Sequence, residues 1–325
     1  MYWWEYLLEI LNSEGEIYIV FKTRLEGRLG NQLFIYAFSR ELVEKYGEKV
    51  LIYDRKNEKD LRWHSRLDHY NLSKDISFTS DALKFYKMRP NTFSLFLLNR
   101  LKSKKLTPRQ LHNFQLNNMS FFYRNRLFAL QDGYMELPNE IKDQTLFLGY
   151  FQSPKYFNNI KDKLIKELKP IHKYSNKEIK FIEDITGSES VCVTIRLGDY
   201  LNNSVHQVCT SRFYNEAMKR MKELIPNCKF FIFSDDIEGV KKLIHFDYPV
   251  VYDTTRMADY VSLDAMSKCK NFIISNSSFS WWAQYLSQNE NKIVIAPNKW
   301  YAIDVPCDIY EPNWLILNAK TGEQE

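Results

Sequence analysis

The sequence is poor in the residues that build metal sites, disulfide frameworks and phosphate-binding loops. Its five cysteines (Cys192, Cys209, Cys228, Cys269 and Cys307) lie far apart and form no C-x-x-C pair. That spacing argues against a zinc site or a disulfide scaffold and suits a reducing compartment. Glycine is scarce, ten residues in 325, and those present make neither a G-x-G-x-x-G fingerprint nor a lysine-bearing P-loop. No apolar run approaches the roughly 18 residues needed to cross a bilayer. The opening "MYWWEYLLEILNSEGE" carries Glu5 and Glu9 without a basic leading region, so it does not read as a secretory signal. It reads as a short amphipathic helix packed on the protein. The expectation is a soluble cytoplasmic protein, peripheral to a membrane at most.

What remains is a globular chain, 45% apolar and 26% charged, long enough for two domains of ordinary size. The formal charge of +5 is mild. It fits an anionic ligand or simply lysine-rich solvated faces such as Lys102, Lys104 and Lys105. The charge is diffuse and no nucleic-acid recognition motif is visible, so no nucleic-acid partner is expected.

The hydrophobic pattern divides the chain. "EIYIVFKT" (16–23) reads as a strand, "QLFIYAFSRELVEKYG" (32–47) as a helix with Gly47 as its C-cap, and "KVLIYD" (49–54) as the next strand. Residues 60–145 resist parsing. The second half is regular: strand patterns at 191–197, 229–234, 249–252, 271–275 and 292–296 alternate with helical patterns at 211–225, 236–244, 258–269 and 279–288. Alternation of this kind implies a parallel sheet covered on both faces. A boundary is expected between about 157 and 188, giving domains 1–165 and 166–325.

In such sheets ligands bind beyond the carboxyl ends of the strands, so the residues there are the candidates. "EGRLGNQLF" (26–34) places Arg28, Gly30 and Asn31 at a helix mouth. Alone it reads either as glycine punctuation of an ordinary connection or as the wall of a ligand site. In "TIRLGDYL" (194–201), Arg196 sits within an apolar strand and needs an anionic partner; Asp199 or an anionic ligand would serve. In "FSDD" (233–236), the adjacent Asp235 and Asp236 read as helix caps or as acceptors for a base or ribose. "NFIISNSSFSWWAQYL" (271–286) moves from strand to helix through Asn276, Ser277 and Ser278. One hydroxyl is enough for an N-cap, and the surplus points to an anion at the helix N-terminus. Trp281 and Trp282 read as packing residues, with a sugar platform as the alternative.

Together, "GRLGNQLFIYAFSREL" (27–42), "GYFQSPKYF" (149–157), "VTIRLGDYL" (193–201) and "CKNFIISNSSFSWWAQYL" (269–286) resemble the alpha-1,2-fucosyltransferases of glycosyltransferase family 11. The resemblance implies a GT-B-like α/β fold with two Rossmann-like domains facing across a cleft. The N-terminal domain would bind the acceptor and the C-terminal domain GDP-fucose. It implies transfer of L-fucose from GDP-β-L-fucose, with inversion, to the 2-hydroxyl of a terminal β-galactoside, with no metal and no cofactor, in surface glycan or O-antigen synthesis. Carried over by position, Arg196 would hold the β-phosphate. Ser277, Ser278 and Phe279, beside Asn276, would grip the diphosphate, and Asp236 would face guanosine. Arg28, Gly30 and Asn31 would line the opposite wall. Catalysis would rest on Arg196, Asn31 and Asp199 as base, with His64, Asp68 and His69 toward the acceptor. Two positions depart from the family: Thr194 stands where a histidine is usual and Leu197 where a second arginine is. The alternatives are a fucosyltransferase of another linkage, a related GDP-sugar transferase, or a glycan- or nucleic-acid-binding module.

Overall fold

A computed structural model describes residues 20–57, 59, 64–82, 85, 95, 96, 99–101, 105–198 and 203–324. The leading amphipathic segment and Asp199 lie outside the described residues. The chain forms two compact units. One comprises the described residues up to Ser65 with Leu72–Lys161, the other Arg66–Asn71 with the chain from Asp162 onward.

The N-terminal unit is built on five parallel strands: β1 (Val20–Arg24), β2 (Lys49–Tyr53), β3 (Ile76–Thr79), β4 (Leu127–Ala129) and β5 (Leu146–Leu148), in the order β3-β2-β1-β5-β4. Helix α1 (Leu29–Tyr46) crosses between β1 and β2. Leu33, Phe34, Ala37, Phe38 and Leu42 are fully covered, as their helical spacing predicts. Gly47 ends α1 at φ 71°, a left-handed cap that glycine adopts without steric cost. Aromatic rings fill the core: Phe38 stacks on Phe151 at 3.7 Å and meets Phe147 edge-on at 5.5 Å. Helix α2 (Pro108–Asn117) opens with a capping box between Thr107 and Gln110, and α3 (Met119–Arg124) follows.

The C-terminal unit begins with helices α4 (Lys161–Glu167) and α5 (Asn176–Thr186). It then alternates β6 (Ser190–Ile195), α6 (Ser211–Leu224), β7 (Lys229–Ser234), α7 (Ile237–Leu243), β8 (Val250–Tyr252) and α8 (Asp259–Ser267). β9 (Asn271–Ile273), α9 (Ser278–Tyr285), β10 (Val294–Pro297) and β11 (Leu315–Leu317) complete it. All six strands are parallel, in the order β11-β10-β9-β6-β7-β8. Every residue of β6 is buried, because helices cover both faces of the central strands. On α6, Phe213, Ala217, Met218 and Met221 form the covering stripe. The expected pair of Rossmann-like β/α units is what the chain forms.

Segment Arg66–Asn71 belongs to the C-terminal unit although its sequence neighbours do not. Tyr70, 5% exposed, pairs as an antiparallel bridge with Pro170, and the Ile171 N–H donates to the His69 carbonyl at 2.7 Å. Among the described residues no helix is long and apolar enough to cross a membrane.

Candidate active site

Numbered from its own first strand, the C-terminal sheet has the order 3-2-1-4-5-6, the doubly wound arrangement. Its crevice opens where strand order reverses, which is between β6 and β9. Arg196 directly follows β6, and Ser275 to Ser277 lie in the short turn between β9 and α9, whose first residues are Ser278 and Phe279. Topology alone therefore brings these two sequence candidates, 80 residues apart, to one sheet edge.

The polar cluster at 275–280 divides into scaffold and edge. Ser275 and Ser280 hydroxyls bond each other at 3.0 Å in the interior. Asn276, 3% exposed, donates from Nδ2 to the carbonyls of His206 and Trp300, each at 2.9 Å, while its Oδ1 faces Cys209 Sγ at 3.8 Å. Its side chain holds loops together, so the expected direct grip on a donor falls to its neighbours. Ser277 is the N-cap residue of α9 in extended conformation, yet its hydroxyl makes no capping bond. The first-turn N–H groups of α9 have no intrahelical acceptor. The Ser277 N–H is taken by the Ser275 carbonyl at 2.8 Å, which leaves the Ser277 and Ser278 hydroxyls and the Ser278 and Phe279 amides at a positive helix end, the arrangement by which proteins hold phosphates.

Strand β6 ends at Ile195, so Arg196 stands just beyond the strand rather than inside it. Its side chain is four-fifths covered, and Nη1 lies 3.3 Å from Asp235 Oδ2, the residue that follows β7. Asp199, the internal partner offered by the sequence, lies outside the described residues; among those described, the residue on the neighbouring strand end faces Arg196. Asp235 also accepts from the Leu197 N–H at 3.0 Å. Asp236 caps α7 through Oδ1 from the Gly239 N–H at 2.8 Å.

The two departures from the family pattern have structural reasons. Thr194 Oγ1 is buried and accepts the Ser275 N–H at 2.9 Å, tying β6 to the turn before α9. Leu197 is 8% exposed and packs in the core of the C-terminal unit. Trp281 and Trp282 are fully buried, and Trp281 Nε1 donates to the Ile309 carbonyl at 2.8 Å. Neither ring is placed as a sugar platform. A cavity of about 360 Å³ near Tyr70, Lys268 and Asn289 lies at the opposite, amino-terminal end of β9 and is separate from this edge.

In the N-terminal unit the strand order reverses between β1 and β5, and Leu25–Asn31 follows β1 there. Gly27 turns the chain at φ 68°. Gln32, fully buried, donates from Nε2 to the carbonyls of Gly27 and His64, at 3.0 and 2.9 Å. Arg28 is the exposed N-cap residue of α1, and Gly30 is buried within the helix. Asn31 Oδ1 accepts from Gln152 at 2.8 Å, which directs its amide nitrogen toward the Gly27 turn. Gln152 comes from "GYFQSPKYF", whose Phe151 adopts φ 53° and stacks on Phe38. His64 belongs to the N-terminal unit, and Asp68 and His69 to the C-terminal unit. His64 is joined through its backbone to Gln32, and His69 stacks on Tyr260 at 3.9 Å.

Residues 16–318 match the sequence model described as Glycosyl transferase family 11. The chain belongs to that family. This family 11 transferase is 31% identical over 292 residues to an alpha-1,2-colitosyltransferase of Escherichia coli, covering 86% of this chain and 91% of the relative. It is 28% identical to the Escherichia coli O-antigen biosynthesis glycosyltransferase WbnK, over 90% of this chain and 99% of that one. The crystal structure of the fucosyltransferase NodZ from Bradyrhizobium aligns with it at a TM-score of 0.47 and 10% identity, over 82% of this chain and 93% of that one.

Proposed function

We propose that this family 11 transferase moves L-fucose from GDP-β-L-fucose to the 2-hydroxyl of a terminal β-galactoside, with inversion, during surface-glycan or O-antigen synthesis. The observation that carries the reading is that Arg196 follows β6 while the open N-terminus of α9 follows the adjacent β9, at the switch point of the C-terminal sheet.

Departure of GDP builds negative charge on a phosphate oxygen while the sugar becomes oxocarbenium-like. The Arg196 guanidinium, the Ser277 and Ser278 hydroxyls and the Ser278 and Phe279 amides would stabilise that charge from fixed positions, so little reorganisation is needed at the moment of reaction. No metal or cofactor is invoked. Asp236 spends Oδ1 on the α7 cap, and we assign its second oxygen to the nucleoside. The base is assigned to Asp199 from its place in the motif. Arg28, Gly30 and Asn31 are assigned to sugar hydroxyls at the edge of the N-terminal unit, and His64 to the acceptor. Asp68 and His69 are assigned to the acceptor as well, from their place in the sequence.

A second donor has specific support in the 31% identity to the colitosyltransferase. Colitose is fucose without its 3-hydroxyl. A site that hydrogen-bonds this hydroxyl would reject colitose by roughly 10⁴-fold, while an apolar contact there would discriminate far less. The test measures GDP release and product linkage by NMR, with GDP-fucose or GDP-colitose and a β-galactoside panel. Arg196→Ala is expected to lower turnover by roughly 100-fold or more while the thermal melt stays put. Near-normal turnover in that variant overturns the reading, as does a wild-type protein inert with both donors.

A further inference from the structure

We infer that Asp235 is the positioning residue for Arg196, and that position 198 is glycine because the Asp235 carboxylate occupies the space a side chain would need. The inference rests on the proposed role of Arg196 in holding the leaving diphosphate.

The carboxylate is held at both ends. Oδ1 accepts the Leu197 N–H at 3.0 Å, and Oδ2 faces Arg196 Nη1 at 3.3 Å. Asp235 follows β7, whose last residue Ser234 is in register with Ile195 of β6. The strand pairing therefore sets where the carboxylate lies relative to Arg196, without a flexible linker between them. An arginine side chain has four rotatable bonds and scatters unless a partner fixes its planar fork. Asp235 supplies that partner from the neighbouring strand end.

Gly198 adds an independent observation. A Cβ built there would lie 2.2 Å from Asp235 Oδ2 and 3.2 Å from its Cγ. Gly198 is not among the glycines at positive φ, so its backbone suits alanine. Among the described residues the obstacle is the carboxylate, the tip of a side chain that can swing aside. Alanine at 198 therefore leaves the fold intact and forces Oδ2 to retreat by about 1.2 Å to reach ordinary contact at 3.4 Å. A retreat of that size takes the carboxylate off Arg196, and a misplacement near 1 Å in a catalytic array can cost about 10²-fold in rate.

The consequence is a coupled pair. Gly198→Ala should lower kcat by roughly 10- to 100-fold and change the donor KM by less than about threefold, because α9 still grips the diphosphate in the ground state. Asp235→Asn keeps the oxygen that accepts from Leu197 and removes the charge facing Arg196. It should show the same separation of kcat from KM. In an Asp235→Ala background, Gly198→Ala should have no further effect, since the atom it displaces is gone.

The experiment is this cycle of kcat and KM for GDP-fucose, or for GDP-colitose if that is the donor used, on the full chain with thermal melts alongside. Non-additivity with unchanged melts supports the inference. Equal loss from Gly198→Ala in both backgrounds, or a silent Gly198→Ala, overturns it. If Gly198→Ala fails to fold, Asp235→Asn decides alone: a raised KM with unchanged kcat sinks the positioning role. The Arg196→Ala measurement separates the two levels. A dead Arg196→Ala with an additive cycle removes the role of Asp235 and spares the proposed function, whereas an active Arg196→Ala removes both.

Discussion

Asn276 is the residue for which sequence and structure suggest different roles, and its replacement tests the structural one. Its Nδ2 donates two bonds at 2.9 Å to the carbonyls of His206 and Trp300, inside a unit where the side chain is 3% exposed. Asn276→Ala leaves both carbonyls without these donors and opens a small cavity. A net hydrogen bond is worth about 1 kcal/mol, and a buried polar group left unpaired costs about 1–3 kcal/mol. The expected destabilisation is about 2–4 kcal/mol. For a unit of this size that lowers the melting temperature by about 5–10 °C. Asn276→Asp, with an oxygen facing two carbonyls, should be at least as destabilised at neutral pH. The assay is a thermal melt paired with GDP titration calorimetry well below the transition. The folded fraction should bind GDP within about threefold of wild type if, as proposed, the donors on the diphosphate belong to Ser277, Ser278 and Phe279. A wild-type melt with GDP affinity weakened tenfold or more would refute the scaffold role and restore Asn276 to the donor contacts.

Two further outcomes follow from the N-terminal unit. Gly27→Ala must hold a Cβ at φ 68° and 2.3 Å from Asn31 Nδ2. Left-handed backbone costs alanine about 1–2 kcal/mol, and displacing Asn31 should lower transfer by roughly tenfold or more, measured as initial rate; an unchanged rate removes Asn31 from the site. Lys22 is buried on β1 with its pKa lowered from 10.5 to about 8 by desolvation, although Nζ reaches the Phe85 carbonyl at 2.9 Å. The unfolded chain then binds more protons between pH 8 and 10.5, so stability rises with pH through that window. Lys22→Met should be the more stable protein at pH 7. Its advantage should shrink by about 3 kcal/mol between pH 8 and 10.5 in denaturant titrations, and a gap independent of pH contradicts the shift.

Legibility followed the length and regularity of each element. The strand pattern at 229–234 and the helical pattern at 211–225 match β7 and α6 to within a residue, because long periodic stripes over a buried sheet leave a strong signal. Residues 60–145 resisted because β3 and β4, the strands within them, have only four and three residues. One signal there was readable: Thr107-Pro108 with Gln110 is a capping box with proline at the first helical position. β11, three residues near the end, also went unseen. At the candidate site, Ser277 and Ser278 drew notice at a strand-to-helix transition, Arg196 as a cation at the end of an apolar run, and Phe279 only through the family resemblance. Asp235 was visible only as part of "FSDD", and nothing local marks it as the partner of an arginine 39 residues earlier.

From the chain's order of residues alone came the family, the alternation of strands and helices, and the positions where polar groups gather after apolar runs. These are local properties, carried by period and by short motifs. Which strand lies beside which is a property of the folded sheet. That adjacency set Asp235 against Arg196, turned Asn276 inward, and docked Arg66–Asn71 on the unit that its neighbours in sequence do not join. Partners of this kind meet because parallel strands pair across long crossovers, and the energy that selects the pairing is spread over the whole buried sheet.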